Sequence, residues 1–221
     1  DVPKEIENFF ITKLVNANHN DDGQYFFEDS PPLRSFIAKL YAASIINQPL
    51  VVYGGAGVGK TSSARAFGRL RRNQQNRSIE CMMLSFHAGT KSNNIFGTTT
   101  ILNGNVVFVN GPLTTALEKG CTFIADEMNL SSTSTMKSLA PALEPCLGEK
   151  VFISGVGESV TIHPNFFFIA CQNQLGTTGR NPIPSSIQSR FRVLNYPAQQ
   201  EKDVSAICAE ISNSFYHNTN L

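Results

Sequence analysis

Eight consecutive residues, Gly54-Gly55-Ala56-Gly57-Val58-Gly59-Lys60-Thr61, restrict this chain more than any other stretch. They match G-x-x-x-x-G-K-[ST] and stand between a β-branched apolar run at residues 49–53 and a helical pattern at 60–72. At ordinary usage of Gly, Lys and Ser/Thr, a chance match in a chain this long is on the order of one per cent. The glycines let the backbone curl so that successive N–H groups converge on phosphate oxygens, and the helix that follows adds its positive end. Lys60 is expected to neutralise phosphate charge and Thr61 to ligate Mg²⁺; the loop from Gly54 to Thr61, with Ser62 beside it, forms the expected nucleotide contacts.

A phosphate cradle needs an acid to hold the metal, and Cys121-Thr-Phe-Ile-Ala-Asp126-Glu127 places two carboxylates at the end of a buried strand. Asp126 is expected to hold Mg²⁺, while Glu127, one residue on, polarises the attacking water. A later apolar strand ends in Gln172-Asn173. In a parallel sheet that end lies at the same edge as the glycine loop, so Asn173 is placed to orient water or touch the terminal phosphate, although a turn-capping role fits the same residue. Arg180, in a Gly-rich loop, and Arg190, before the last strand, are the remaining basic candidates, and surface decoration is the commonest fate of a lone arginine.

The rest of the chain alternates strand and helix. Apolar runs at residues 49–53, 79–86, 121–125, 166–171 and 192–196 read as strands, and segments at 31–47, 60–72, 113–119, 131–143 and 198–215 as helices, with Pro141 a kink or stop. Strand, helix, strand means a parallel sheet. Two hairpins interrupt it: one turns at Asn103-Gly104-Asn105, where Asn and Gly accept positive φ, the other at residues 155–157. A short N-terminal helix and a polar run at residues 16–23 precede all of this.

Composition removes other classes. Eighteen Lys plus Arg against 17 Asp plus Glu leave a net charge of +1, so no clustered basic field marks a nucleic-acid or anionic-membrane surface. With 41% apolar and 16% charged residues the chain is globular, long enough for one sizeable domain. The five cysteines form no CxxC pair and read as small buried hydrophobes, which fits a reducing compartment, cytoplasm or nucleus. No apolar run approaches the roughly 18 residues that span a bilayer, and the N-terminus lacks the look of a signal peptide. His87 and His163 flank strands as fillers or caps, and His19 and His217 lie in polar runs.

Taken in order, the glycine loop, hairpin, Gly-Pro-Leu helix, Asp126-Glu127-Met128-Asn129-Leu130, His163-Pro164-Asn165-Phe166, Gln172-Asn173 and Ser189-Arg190-Phe191 resemble the AAA+ ATPases of the dynein-related, midasin and MoxR-like group, the midasin type most of all. The resemblance covers residues 49–197. It implies an α/β fold of the P-loop NTPase type: an αβα three-layer sandwich with a five-stranded parallel sheet in the order 5-1-4-3-2 and two β-hairpin inserts. It further implies Walker A and Walker B roles for the two motifs, a sensor 1 role for Asn173, and an arginine finger at Arg190 acting on a neighbouring subunit's nucleotide. Residues 1–48 then form an N-terminal helical and linker segment, 49–197 the nucleotide-binding core, and 198–221 a helix too short to complete the family's helical lid. The implied activity is ATP hydrolysis in a ring-shaped motor that remodels a macromolecular complex, with neighbouring modules and that complex as partners. Two other readings share these residues: a module that holds nucleotide without turnover, and a GTP-specific relative.

Overall fold

The computed structural model describes residues 8, 31–75, 77–144, 148–153, 157–173 and 180–197. The expected N-terminal helix, the segment from residue 198 onward and the question of a lid lie outside them. Helix α1 (Pro31–Ile45) carries proline in its first turn and buries Leu33, Phe36, Ile37, Leu40 and Ala43, one stripe at helical spacing. It stops where Asn47 takes φ 50°. Strand β1 (Leu50–Gly54) follows, and the glycine loop leads into α2 (Lys60–Leu70).

The remaining core strands are β2 (Cys81–Ser85), β5 (Thr122–Asp126), β8 (Phe167–Asn173) and β9 (Arg192–Asn195). With β1 they form one parallel five-stranded sheet in the order β2-β5-β8-β1-β9. Counting only these five strands along the chain, that is the order 5-1-4-3-2. Every residue of β8 is buried, as a central strand covered on both faces requires. The pleat divides the side chains cleanly. Leu50, Val52, Ile124, Phe167, Ile169 and Cys171 pack against α1 and α2, through Phe36, Leu40, Ala64 and Phe67. Val51, Phe123, Ala125, Phe168 and Ala170 face the other layer, with Ile95, Phe96, Leu113, Leu117 and Met136.

That second layer is built from α3 (Ser92–Phe96), α4 (Pro112–Lys119) and α5 (Thr133–Ser138). Two antiparallel hairpins stand outside the sheet, β3 (Gly97–Leu102) with β4 (Asn105–Asn110), and β6 (Lys150–Ile153) with β7 (Glu158–Thr161). The first turns at Asn103 and Gly104, both with positive φ, as its sequence predicts. The helix expected over residues 131–143 is shorter: α5 ends at Ser138 and a 3₁₀ turn, Ala140–Leu143, takes over. Pro141 is the cause, since it has no N–H to continue the ladder. A last short helix, α6 (Ser185–Gln188), precedes β9.

Gly120 joins α4 to β5 at φ 75°, and a Cβ there would lie 2.2 Å from His163 Nδ1. That nitrogen already accepts the Asn165 amide at 3.0 Å, so the imidazole cannot swing away without loss. Gly120→Ala is expected to cost about 2–4 kcal/mol, from positive φ and overpacking together. Urea unfolding of the variant beside the parent checks it; a change below about 0.5 kcal/mol would contradict the packing described.

Candidate functional site

Parallel pairing sets the site. Gly54 ends β1 opposite Asn173 at the end of β8, and Asp126 ends β5 opposite Cys171. Three separate segments therefore finish at one edge of the sheet, where α2 begins. Gly59, the residue before α2, sits at φ 94° and Gly57 at φ 71°, conformations that suit glycine. A Cβ at Gly57 would meet nothing within 4 Å, so the loop is open to solvent space at that position.

Lys60, the first residue of α2, is 6% exposed. Its Nζ donates to Gly55 O at 2.5 Å and to Asn173 Oδ1 at 2.6 Å. Burial pulls its pKa below the ordinary lysine value, Glu127, Cys171 and Asp126 oppose that shift, and Arg180 adds to it. Thr61 Oγ1 donates to Asp126 Oδ1 at 2.8 Å, so a hydroxyl and a carboxylate stand side by side. These are hard oxygen donors of the kind Mg²⁺ accepts.

Glu127 occupies the left-handed region at φ 53° and ψ 38°, which for a residue with a Cβ costs roughly 1–2 kcal/mol. Its amide donates to Cys171 O at 2.8 Å, which ties the end of β5 to β8 and turns the carboxylate toward Asn173. Asn173 Nδ2 donates to Glu127 Oε1 at 2.8 Å. Lys60, Asn173 and Glu127 thus form one continuous hydrogen-bonded chain, and Thr61 and Asp126 flank it.

Two further residues complete the cluster. Asn129 is 1% exposed; its Oδ1 accepts from Arg180 Nη1 at 3.2 Å and its backbone carbonyl accepts the Asn181 amide at 2.8 Å. Arg180 Nη1 also donates to Glu127 Oε2. Sequence reasoning gave Asn129 no role, although a lone amide between Met128 and Leu130 in an apolar setting was a readable sign. Asn129 reaches this place because a 3₁₀ turn, Met128–Leu130, folds the chain back directly after β5.

Arg190 lies elsewhere. Its backbone carbonyl accepts from Gln48 Nε2 at 3.0 Å, before the start of β1, and Arg192 pairs with Leu50. From Leu50 to Gly54 the strand climbs about 13 Å, so this arginine sits at the opposite edge of the sheet from its own glycine loop. Its guanidinium pairs with Glu144 Oε1 at 2.7 Å and is about a third exposed. Burial pushes the Cys171 thiol up to about 12, with the charge of Asp126 adding to the rise, so beside the site Cys171 is a neutral packing group.

Comparison with known proteins places the chain in a family. Residues 49–191 match the AAA domain of the dynein-related subfamily, which is more than half of the chain. The midasin of Giardia intestinalis is 26% identical over 188 residues, 82% of this chain, and that of Dictyostelium discoideum 30% over 147 residues, 64% of it. The chain spans only 4% and 2% of those two proteins. An uncharacterized protein of Staphylococcus saprophyticus is 25% identical over 82% of this chain and 64% of its own length. The crystal structure of a "putative ATPase" from Cytophaga hutchinsonii superposes with a TM-score of 0.68 at 17% identity, over 95% of this chain and 58% of that one, a likeness of fold. On sequence and architecture together, this chain belongs to the AAA domain family, dynein-related subfamily, and is a module of the AAA ATPase class.

Proposed function

We propose that this chain binds and hydrolyses ATP as one module of a ring-shaped motor that remodels a macromolecular complex. The observation that supports it most is the convergence of Lys60, Thr61, Asp126, Glu127 and Asn173 on one sheet edge, beside the glycine loop. AAA modules generally assemble in rings and bind ATP with Mg²⁺.

In this reading the amides of residues 54–61, with Ser62, cradle the phosphates, and Lys60 exchanges its two neutral acceptors for phosphate oxygens. Thr61 and Asp126 hold Mg²⁺, directly or through water. When bound, the ion would supply positive charge against that of the phosphates. Glu127 accepts the proton of the attacking water, and Asn173 orients it through the amide that already meets the carboxylate. Arg190, across the sheet from its own loop, serves the nucleotide of a neighbouring module. Within this reading residues 49–197 are the nucleotide-binding core, 1–48 an N-terminal segment and 198–221 a C-terminal one. No described helix is long and apolar enough to cross a membrane, and a cytoplasmic or nuclear setting is part of the proposal. The net charge of +1 offers no electrostatic claim on nucleic acid.

Two measurements follow. Glu127→Gln keeps the shape and one acceptor oxygen of the side chain but loses its basicity, so the variant is expected to retain Mg·ATP binding and lose turnover by at least about 10²-fold. Undiminished hydrolysis by the variant in an assembled ring would remove the base role from Glu127, whereas binding without hydrolysis by the assembled parent would leave a nucleotide-holding module. A guanidinium supplied in trans is worth about 10³–10⁵ in rate. ATPase activity per chain is therefore expected to fall on dilution, and Arg190→Ala to lower the rate of the assembled ring without much change in nucleotide affinity. A substantial rate that stays constant per chain at high dilution would refute the need for a neighbour.

A further inference from the structure

The second arginine has a different place and a different unused capacity. Arg180 Nη1 meets both Glu127 Oε2 and Asn129 Oδ1, its side chain is 11% exposed, and its Nε is buried with no partner among the described residues. A guanidinium offers five donors in a planar fork. Burying one of them unpaired is costly, and such groups in folded proteins call for an explanation. At the same time both oxygens of Glu127 are taken by donors of its own chain, Oε1 by Asn173 and Oε2 by Arg180.

Resting on the reading of this site as a nucleotide pocket, we propose that Arg180 is a terminal-phosphate-binding residue acting within its own chain, which holds Glu127 in the empty site and releases it when a nucleoside triphosphate arrives. The hydrogen-bonded chain Lys60–Asn173–Glu127–Arg180 has a phosphate-binding lysine at one end and the guanidinium at the other. A diphosphate satisfies the lysine end. A third phosphate extends toward the other, and its oxygens accept in the fork geometry that a carboxylate also accepts, so it competes directly with Glu127 for the same donors. Exchange gives Nε the acceptor it lacks and frees one oxygen of Glu127. The arrangement makes the site discriminate triphosphate from diphosphate through a residue outside both motifs, and does so without a neighbouring module. Arg190, at the opposite edge of the sheet, has no part in it.

Calorimetric titration of the chain with Mg·ADP and with a non-hydrolysable Mg·triphosphate (AMP-PNP) tests this, on the parent, Arg180→Ala, Arg180→Lys, Glu127→Gln and the Glu127→Gln/Arg180→Ala pair. Arg180→Ala is expected to weaken AMP-PNP by about ten- to a hundredfold while ADP stays within about twofold, and Arg180→Lys, which keeps the charge but not the fork, to fall between. Glu127→Gln, which removes the competing charge, is expected to tighten AMP-PNP binding, and the gain to vanish in the double variant. Equal losses for both nucleotides in Arg180→Ala and Arg180→Lys, no loss in either, or a Glu127→Gln gain that survives without Arg180 would each overturn the proposal. If the parent binds neither nucleotide, the pocket reading falls with it; if the parent binds both and the Arg180 variants keep its selectivity, only this inference falls.

Discussion

The parallel register of β1, β5 and β8 is what everything chemical here depends on. Gly54 opposite Asn173, and Asp126 opposite Cys171, bring to one edge residues that lie 119 and 45 positions apart along the chain. The register holds because these strands are buried on both faces, so a slip of one residue would move Phe123, Phe167 and Phe168 to the wrong layer. Packing on two faces thus fixes where the polar groups at this edge stand.

The edge is costly in itself. Lys60 is buried, Glu127 is held at positive φ, and Arg180 keeps a donor with no partner among the described residues. A chain selected for stability alone has no reason to keep three such features together, and each has a use if anionic ligands enter. The buried Arg71 differs: it lies over the Phe167 ring, 5.1 Å from its centroid, and donates to Thr122 Oγ1 and Asn165 O, a satisfied structural cation.

Much of this was legible in the sequence, and the limits have physical causes. The continuous apolar runs ending at Asp126 and Asn173 announced buried parallel strands, and Asn103-Gly104 announced a hairpin. The short helices Ser92–Phe96 and Ser185–Gln188 were not legible, since four or five residues hold little more than one turn and show no periodicity. The partners of Arg180 are Glu127 and Asn129, more than fifty positions earlier, and nothing local separates this arginine from Arg190. Only the pairing of β9 beside β1 tells them apart, one at the edge with the glycine loop and the other across the sheet.

The central claim is that this edge receives the phosphates of a nucleotide. Titration calorimetry of Mg·ATP into the chain and into Lys60→Ala tests it most directly. The account predicts saturable one-to-one binding by the parent and a loss of about tenfold or more in the variant, because a buried charge-assisted contact to phosphate disappears. Equal affinity in parent and variant, or no binding by the parent at all, would contradict it.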